Sequence, residues 1–289
     1  ERLAPFITDM HRCEILMPPL DGMMDDLSEL IGALSIRAQL PQIEVAVAEN
    51  AVALVFRVLD GPSTADEELL RSFGEQHGLR IYLQTGGLDS VALLYPAETA
   101  DALCYTMPDF DINIAFEPID FVQVNGGINR RMVHFAVEQL AVGADDRVLD
   151  LFCGLGNFTL PLAKRAAMAV GVEGDADLVR KARDNAERNG LANAQFHAAD
   201  LAEEPGTAPW LRDGYDKVLI DPPRSGADTV LPAIAASGAS KLVYVSCHPA
   251  SLARDSGILV HDLGYRLQGA GVMDMFPHTG HVESIALFE

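Results

Sequence analysis

The spacing of apolar positions changes near residue 118. Before it the pattern is mixed. LDGMMDDLSELIGALS (20–35) has helical apolar spacing, and QIEVAVAENAVALVFRVLD (42–60) predicts two strands around a Glu49–Asn50 turn. STADEELLRSFGEQHG (63–78) opens on Ser/Thr and closes on Gly, which predicts a capped helix. LRIYLQTG and VALLYP predict two more strands. IAFEPIDFVQVN (114–125) leads into a helix over 126–141. From residue 147 strand, turn and helix alternate. RVLDLF (147–152) and AVGVEG (169–174) are the first two strands, separated by CGLGNF and a helix that begins at TLPLAKRAA. DADLVRKARDNAERNG (175–190) is a helix with an acidic first turn and Gly190 as its stop. AQFHAADL, DKVLIDPP and KLVYVSC are strands three to five, and HVESIALFE is a final strand. This order predicts an α/β, doubly wound, mostly parallel sheet with its site at the strands' carboxyl ends. Residues 1–117 form a smaller α+β domain N-terminal to the 118–289 domain.

Composition narrows the class. The 289 residues are 49% hydrophobic, and no apolar run approaches the ~20 residues of a membrane span. No basic-then-apolar leader opens the sequence, so a cytoplasmic enzyme is expected. Cys13, Cys104, Cys153 and Cys247 are scattered, which argues against a disulfide scaffold and against a zinc site completed within the chain. The formal net charge is −21, and residues 1–118 carry 20 acidic against 6 basic side chains. Polyphosphate is repelled by such a surface at long range, so any nucleic-acid partner needs a basic surface from elsewhere. Trp210 and the six tyrosines form no regular stripe on which bases would stack.

Candidate chemistry collects at the predicted strand ends. The turn DLFCGLGNF lacks the third glycine of a dinucleotide fingerprint and the lysine of a P-loop, while Gly154 and Gly156 let backbone approach a ligand closely. Glu173 lies 23 residues after Asp150 and suits a ribose diol, and Asp200, at the end of strand three, suits an adenine amino group. Turn, ribose acid and adenine acid in this order resemble the S-adenosylmethionine fold. Strand four ends DPPRSG, with Arg224 where amine methyltransferases commonly place an aromatic ring, which disfavours an exocyclic amine as acceptor. Strand five ends at Cys247, 26 residues after Asp221, placing both at neighbouring strand ends. A lone cysteine there is ordinarily apolar filler. Beside a methyl donor a thiolate has a use: addition at C6 of uracil makes C5 nucleophilic, and a base must then remove the C5 proton. Glu283, in DMFPHTGHVES (274–284), is the candidate base. His278, His281 and Glu283 resemble a metal set only superficially, because Pro277–Gly280 reads as a turn.

FVQVNGGINRRMV, VLDLFCGLGNFTLPLA, DPPRSGA, VYVSCHPASLARDS and DMFPHTGHVES together resemble the RNA uracil-5 methyltransferase family. The closest branch makes 5-methyluridine in 23S ribosomal RNA and carries an iron–sulfur cluster. The likeness covers 118–289 and is weak over 1–117. It implies Cys247 as nucleophile and Glu283 as base. It implies Gln123, Phe152, Gly154, Gly156, Asn157, Glu173, Asp200 and Asp221 around S-adenosyl-L-methionine. Asp200 and His248 stand where the family usually has Asn. The resemblance also implies a basic N-terminal RNA-binding barrel and a 4Fe–4S cluster. Nothing here matches the barrel or the first three cluster cysteines. Cys13, in HRCEILMPPLDGMM, is the candidate fourth ligand, so the chain looks like a fragment or a shortened member that cannot complete the cluster alone. The expectation is a monomeric RNA methyltransferase whose affinity for RNA comes mainly from the missing domain. The alternative is an accessory or remnant module that holds the cofactor without methylating RNA.

Overall fold

The computed structural model describes residues 10–98, 101–203 and 205–289. The chain divides into two compact units, one running to Cys104 and including Phe116–Asp120, the other comprising Tyr105–Ala115 and Phe121–Glu289. The boundary expected at 117/118 falls inside the short stretch that returns to the first unit. No helix among the described residues is long and apolar enough to cross a membrane.

The first unit contains α1 (Met24–Ala33), β1 (Gln42–Val47), β2 (Val52–Arg57), α2 (Thr64–His77), β3 (Arg80–Gln84) and β4 (Val91–Tyr95). Its sheet runs β1-β2-β3-β4, with only β2 and β3 parallel. α2 begins in a capping box: Ser63 Oγ accepts from Asp66 N–H, and Asp66 accepts from Ser63 N–H. The same buried carboxylate takes Ser35 N–H and Oγ–H, both at 2.6 Å, so it also fixes the turn after α1. Ser63 O–H donates to it too, at 2.7 Å, and these four donors hold Asp66 well below the usual carboxylate range. Gly78 closes α2 in the left-handed conformation, as the sequence predicts.

A two-stranded ribbon follows, β5 (Leu103–Met107) and β6 (Ile112–Phe116), which the sequence pattern did not indicate. The second unit continues with α3 (Gly126–Leu140), β7 (Arg147–Leu151), α4 (Thr159–Ala163), β8 (Met168–Glu173), α5 (Ala176–Arg188) and β9 (Ala194–Ala198). Then come β10 (Lys217–Ile220), α6 (Leu231–Ala236), β11 (Lys241–Ser246), α7 (Pro249–His261), β12 (Leu267–Met273) and β13 (Glu283–Phe288). The sheet order is β12-β13-β11-β10-β7-β8-β9, with β7 to β11 parallel and β13 running antiparallel to both its neighbours, β11 and β12. The chain starts at β7, builds outward through β8 and β9, then returns to the other side of β7 at β10. The switch point therefore lies between the carboxyl ends of β7 and β10, where such sheets bind ligands. Val148, Leu149, Val218, Leu219, Leu242 and Val243 are completely buried, as strands covered on both faces require. The helix expected from TLPLAKRAA is only Thr159–Ala163, five residues long. The final strand was anticipated, but its exposed partner β12 was not.

Candidate active site

The turn after β7, the carboxyl ends of β8, β9, β10 and β11 and the first residue of β13 supply the site, all within the second unit. Phe152, Gly154 and Gly156 have φ of 63°, 52° and 93° in the turn after β7. A Cβ on Gly156 would stand 3.0 Å from Leu160 Cγ, so the turn needs glycine there for space as well as conformation. Glu173, ending β8, reaches back to this turn. Its Oε2 accepts from Gly154 N–H at 3.1 Å, and Oε1 accepts from Gly174 and Asp175 N–H at 2.7 and 3.1 Å. The carboxylate is thus held in one orientation, half-buried, with an acceptor position left on Oε2. Asp200 lies two residues beyond β9, exposed, and accepts from Ala202 N–H. Gln123 is half-buried in the irregular segment before α3.

Asn157 is tied within the protein. Its side-chain amide pairs reciprocally with that of buried Asn129 at 2.9 and 3.0 Å, and its oxygen also accepts from Tyr105 O–H at 3.0 Å. Asn157 therefore ties the turn to α3 and to the ribbon. Neither Asn129 nor Tyr105 was a candidate from the sequence. Asp150 was also passed over. It is completely buried in β7, its Oδ2 accepts from Thr159 O–H, and its Oδ1 has no partner. Burial pushes this carboxyl up to about 8, partly offset by the Thr159 hydroxyl, with Asp221 and Glu173 adding repulsion. An acid inside the apolar run RVLDL was the signal available in the sequence.

The sign of that shift has a consequence for stability. From the ordinary 3.8 to about 8, folded Asp150 holds a proton that the unfolded chain releases. Its contribution is complete below about pH 4 and is lost as pH rises through 8. Asp150→Asn should remove that loss, leaving stability less dependent on pH over the interval by several kcal/mol, at most ~5. Urea unfolding of both proteins at the two ends of the range checks this, and parallel pH profiles would contradict it.

Asp221 follows β10 directly, and burial together with Glu283 pushes its carboxyl up to about 7. Cys247 follows Ser246, the last residue of β11, and Ser246 pairs with Ser284 of β13. Cys247 and Glu283 are therefore the next positions on two adjacent antiparallel strands. Ser284 O–H donates to Ser246 carbonyl at 3.0 Å and locks that register. Glu283 is only 3% exposed, and its burial raises the carboxyl, the direction that suits a group meant to accept a proton. The Cys247 thiol is half-buried. Its pKa is raised by desolvation first, then by Glu283 and Asp221, against smaller lowering by a backbone hydrogen bond and the Arg224 cation. His248 Nδ1 accepts from Ser251 N–H and caps α7, so the residue after the thiol is used to start the helix.

The donor set fits a sulfonium nucleoside: a glycine turn that a ligand can approach closely, a pre-oriented acid at β8, and an orphaned buried acceptor in β7. Cys13 is half-buried, and among the described residues no three His, Cys, Asp or Glu side chains are grouped to hold a metal ion.

The seven-stranded sheet has the fold of S-adenosylmethionine-dependent methyltransferases. A family model described as "Methyltransferase domain" matches residues 143–263. The chain is 52% identical over 289 residues, all of its length, to the 23S rRNA (uracil(1939)-C(5))-methyltransferase of Methylococcus capsulatus, of which it covers 65%. It is 50% identical over 284 residues to the enzyme of the same name from Xanthomonas axonopodis pv. citri, covering 98% of this chain and 64% of the relative. By sequence it is a homologue of these proteins, and it spans slightly less than two thirds of their length. The crystal structure of Pyrococcus abyssi tRNA (uracil-54, C5)-methyltransferase with S-adenosyl-L-homocysteine superposes with a TM-score of 0.76 at 24% identity. That match covers 98% of this chain and 70% of the other, and it shows the shared fold.

Proposed function

We propose that the chain carries the catalytic machinery of an RNA (uracil-5-)-methyltransferase. It transfers a methyl group from S-adenosyl-L-methionine to C5 of a uridine, with 23S ribosomal RNA as the substrate. The observation that carries this reading is Cys247 and Glu283 side by side on β11 and β13, with Asp221 at the neighbouring strand end. Glu173, Asp200, Gln123 and the Phe152–Gly156 turn hold the methyl donor, whose contribution is an electrophilic methyl on sulfur. Asn157 acts on that turn through Asn129. Cys247 loses its proton and its sulfur adds to C6, so that C5 gains the electron density to take the methyl group. Glu283 then removes the C5 proton. The C5=C6 bond reforms and the sulfur leaves as thiolate.

Substrate RNA in which 5-fluorouracil replaces uracil tests this directly, because the fluorine has no proton for Glu283 to remove. The chain, with S-adenosylmethionine, should become covalently joined to that RNA in a denaturing gel. Absence of a donor-dependent adduct at saturating RNA would reject the reading and favour a module that only holds the cofactor.

The enzyme acts in the cytoplasm, as a monomer, and draws most of its RNA affinity from a basic domain outside these 289 residues. The net charge of −21 supports this division. Filter binding at physiological salt should therefore find the chain much weaker for its RNA than a longer relative containing such a domain. Equal affinity with a steep salt dependence would overturn it. In the full-length protein Cys13 is the residue of this chain that a cluster would use, with the remaining ligands supplied from outside it.

A further inference from the structure

The loop after Asp221 is fastened to α7 by three side chains that the proposed chemistry does not use. Asp255 is completely buried. Its Oδ2 accepts from Ala227 N–H at 2.8 Å and from Tyr244 O–H at 2.6 Å, and its Oδ1 accepts from Arg254 Nε–H at 2.8 Å. Arg254 Nη2 donates onward to the Ser225 carbonyl at 2.8 Å and lies 3.5 Å from Asp228. Ser251 O–H donates to the Arg224 carbonyl at 3.0 Å. The loop has no slack against this surface. Gly226 has φ 89°, and a Cβ there would stand 2.4 Å from Arg254 Nη2 and 2.6 Å from Asp255 Oδ2.

A buried carboxylate costs stability unless its partners are well placed. Apart from Arg254, the partners of Asp255 lie on the two segments that meet at the site: Tyr244, three residues before Cys247, and Ala227, three residues after Arg224. We propose that Asp255 is a positioning residue. With Arg254 and Ser251 it clamps the Arg224–Asp228 loop to α7, where Ser251 Oγ lies 3.0 Å from the Arg224 carbonyl and 2.9 Å from the carbonyl of His248, so that Arg224 is held next to the residue that follows Cys247. The groups facing that thiol are Glu283 from β13, Asp221 and Arg224 from the segment after β10, and His248 next in the chain, its Nδ1 turned to Ser251. Arg224 is the cation acting on the thiol against two carboxylates. Loosening the clamp removes that cation and leaves both acids, so the thiolate becomes harder to form.

The inference rests on the proposed function only for the use of Cys247 as nucleophile; its test needs no RNA. Site-resolved iodoacetamide labelling of Cys247 is followed by mass spectrometry from about pH 7 to about pH 10.5. Asp255→Asn and Gly226→Ala, the second leaving every charge in place, should each label roughly threefold more slowly at pH 8 and reach the wild-type rate at the alkaline end. If Asp255→Asn does not fold, Ser251→Ala and Gly226→Ala carry the comparison. Arg224→Ala should show the same slowing, and adding Gly226→Ala to it should slow labelling no further. Clamp variants with a wild-type pH profile would overturn the proposal. So would a slowing that persists in the Arg224→Ala background, because the clamp would then act on something other than the cation. A failed adduct with fluorinated RNA, beside a shifted labelling profile, would reject the proposed reaction while leaving the clamp intact.

Discussion

Cys247→Ala should lose covalent joining to RNA and methyl transfer together, by about a thousandfold or more, because C5 of uracil does not attack a sulfonium methyl without prior addition at C6. Glu283→Gln should behave differently. It keeps the side chain's shape in a position only 3% exposed, and it removes the proton acceptor. Addition and methyl transfer still proceed, and the complex then stalls with RNA methylated and attached. Denaturing electrophoresis with donor labelled in its methyl group separates the two outcomes. Cys247→Ala gives no shifted band, and Glu283→Gln gives a shifted band that carries label. If Glu283→Gln turns over normally, another group removes the C5 proton. The neighbouring acid whose carboxyl is also raised, to about 7, is Asp221, and it becomes the residue to replace next.

Glu173→Ala should weaken binding of S-adenosylmethionine or its demethylated product by ~1.5–3 kcal/mol, roughly ten- to a hundredfold. Two contributions act in the same direction. The charged acceptor for the ribose is lost, and so are the three backbone N–H partners that Glu173 now collects from Gly154, Gly174 and Asp175. Asn129→Ala, which undoes the amide pair with Asn157, removes only the bracing of the turn and provides the comparison. Titration calorimetry should find it weakened less than Glu173→Ala. An unchanged affinity in Glu173→Ala would take that residue out of the site.

The elements that position the site were legible because their sequences carry strong periodic signals. RVLDL, AVGVE, KVLI and KLVYVS are largely apolar runs of the kind buried parallel strands require; the last three are followed directly by glycine, an acid or a cysteine, and RVLDL by Phe152 and then Cys153 and Gly154. The alternation of strand and helix then fixed which ends would be neighbours, so Asp221 and Cys247 could be paired by counting. β12 escaped because LQGAGVM is nearly all exposed and has too many small residues to show an alternating face. β5 and β6 escaped because their five residues each lie among turn-forming sequence. The role of Asn157 was hidden for another reason. The amide that pairs with it, that of Asn129, lies 28 residues away in another element. The unpaired oxygen of Asp150 and the reach of Asp255 into the Arg224 loop are likewise properties of packing, with no local pattern to announce them.

Two carboxylates stand around a thiol whose proton they help to retain. A sulfonium donor is a methylating agent toward any thiolate beside it, and a methylated Cys247 would be permanently dead. While no uracil is in place, burial and the two acids favour the protonated sulfur, the less reactive form toward peroxide and electrophiles. Under the proposed chemistry, the lifetime of Cys247 would depend on how rarely the empty site exposes a thiolate to the methyl donor.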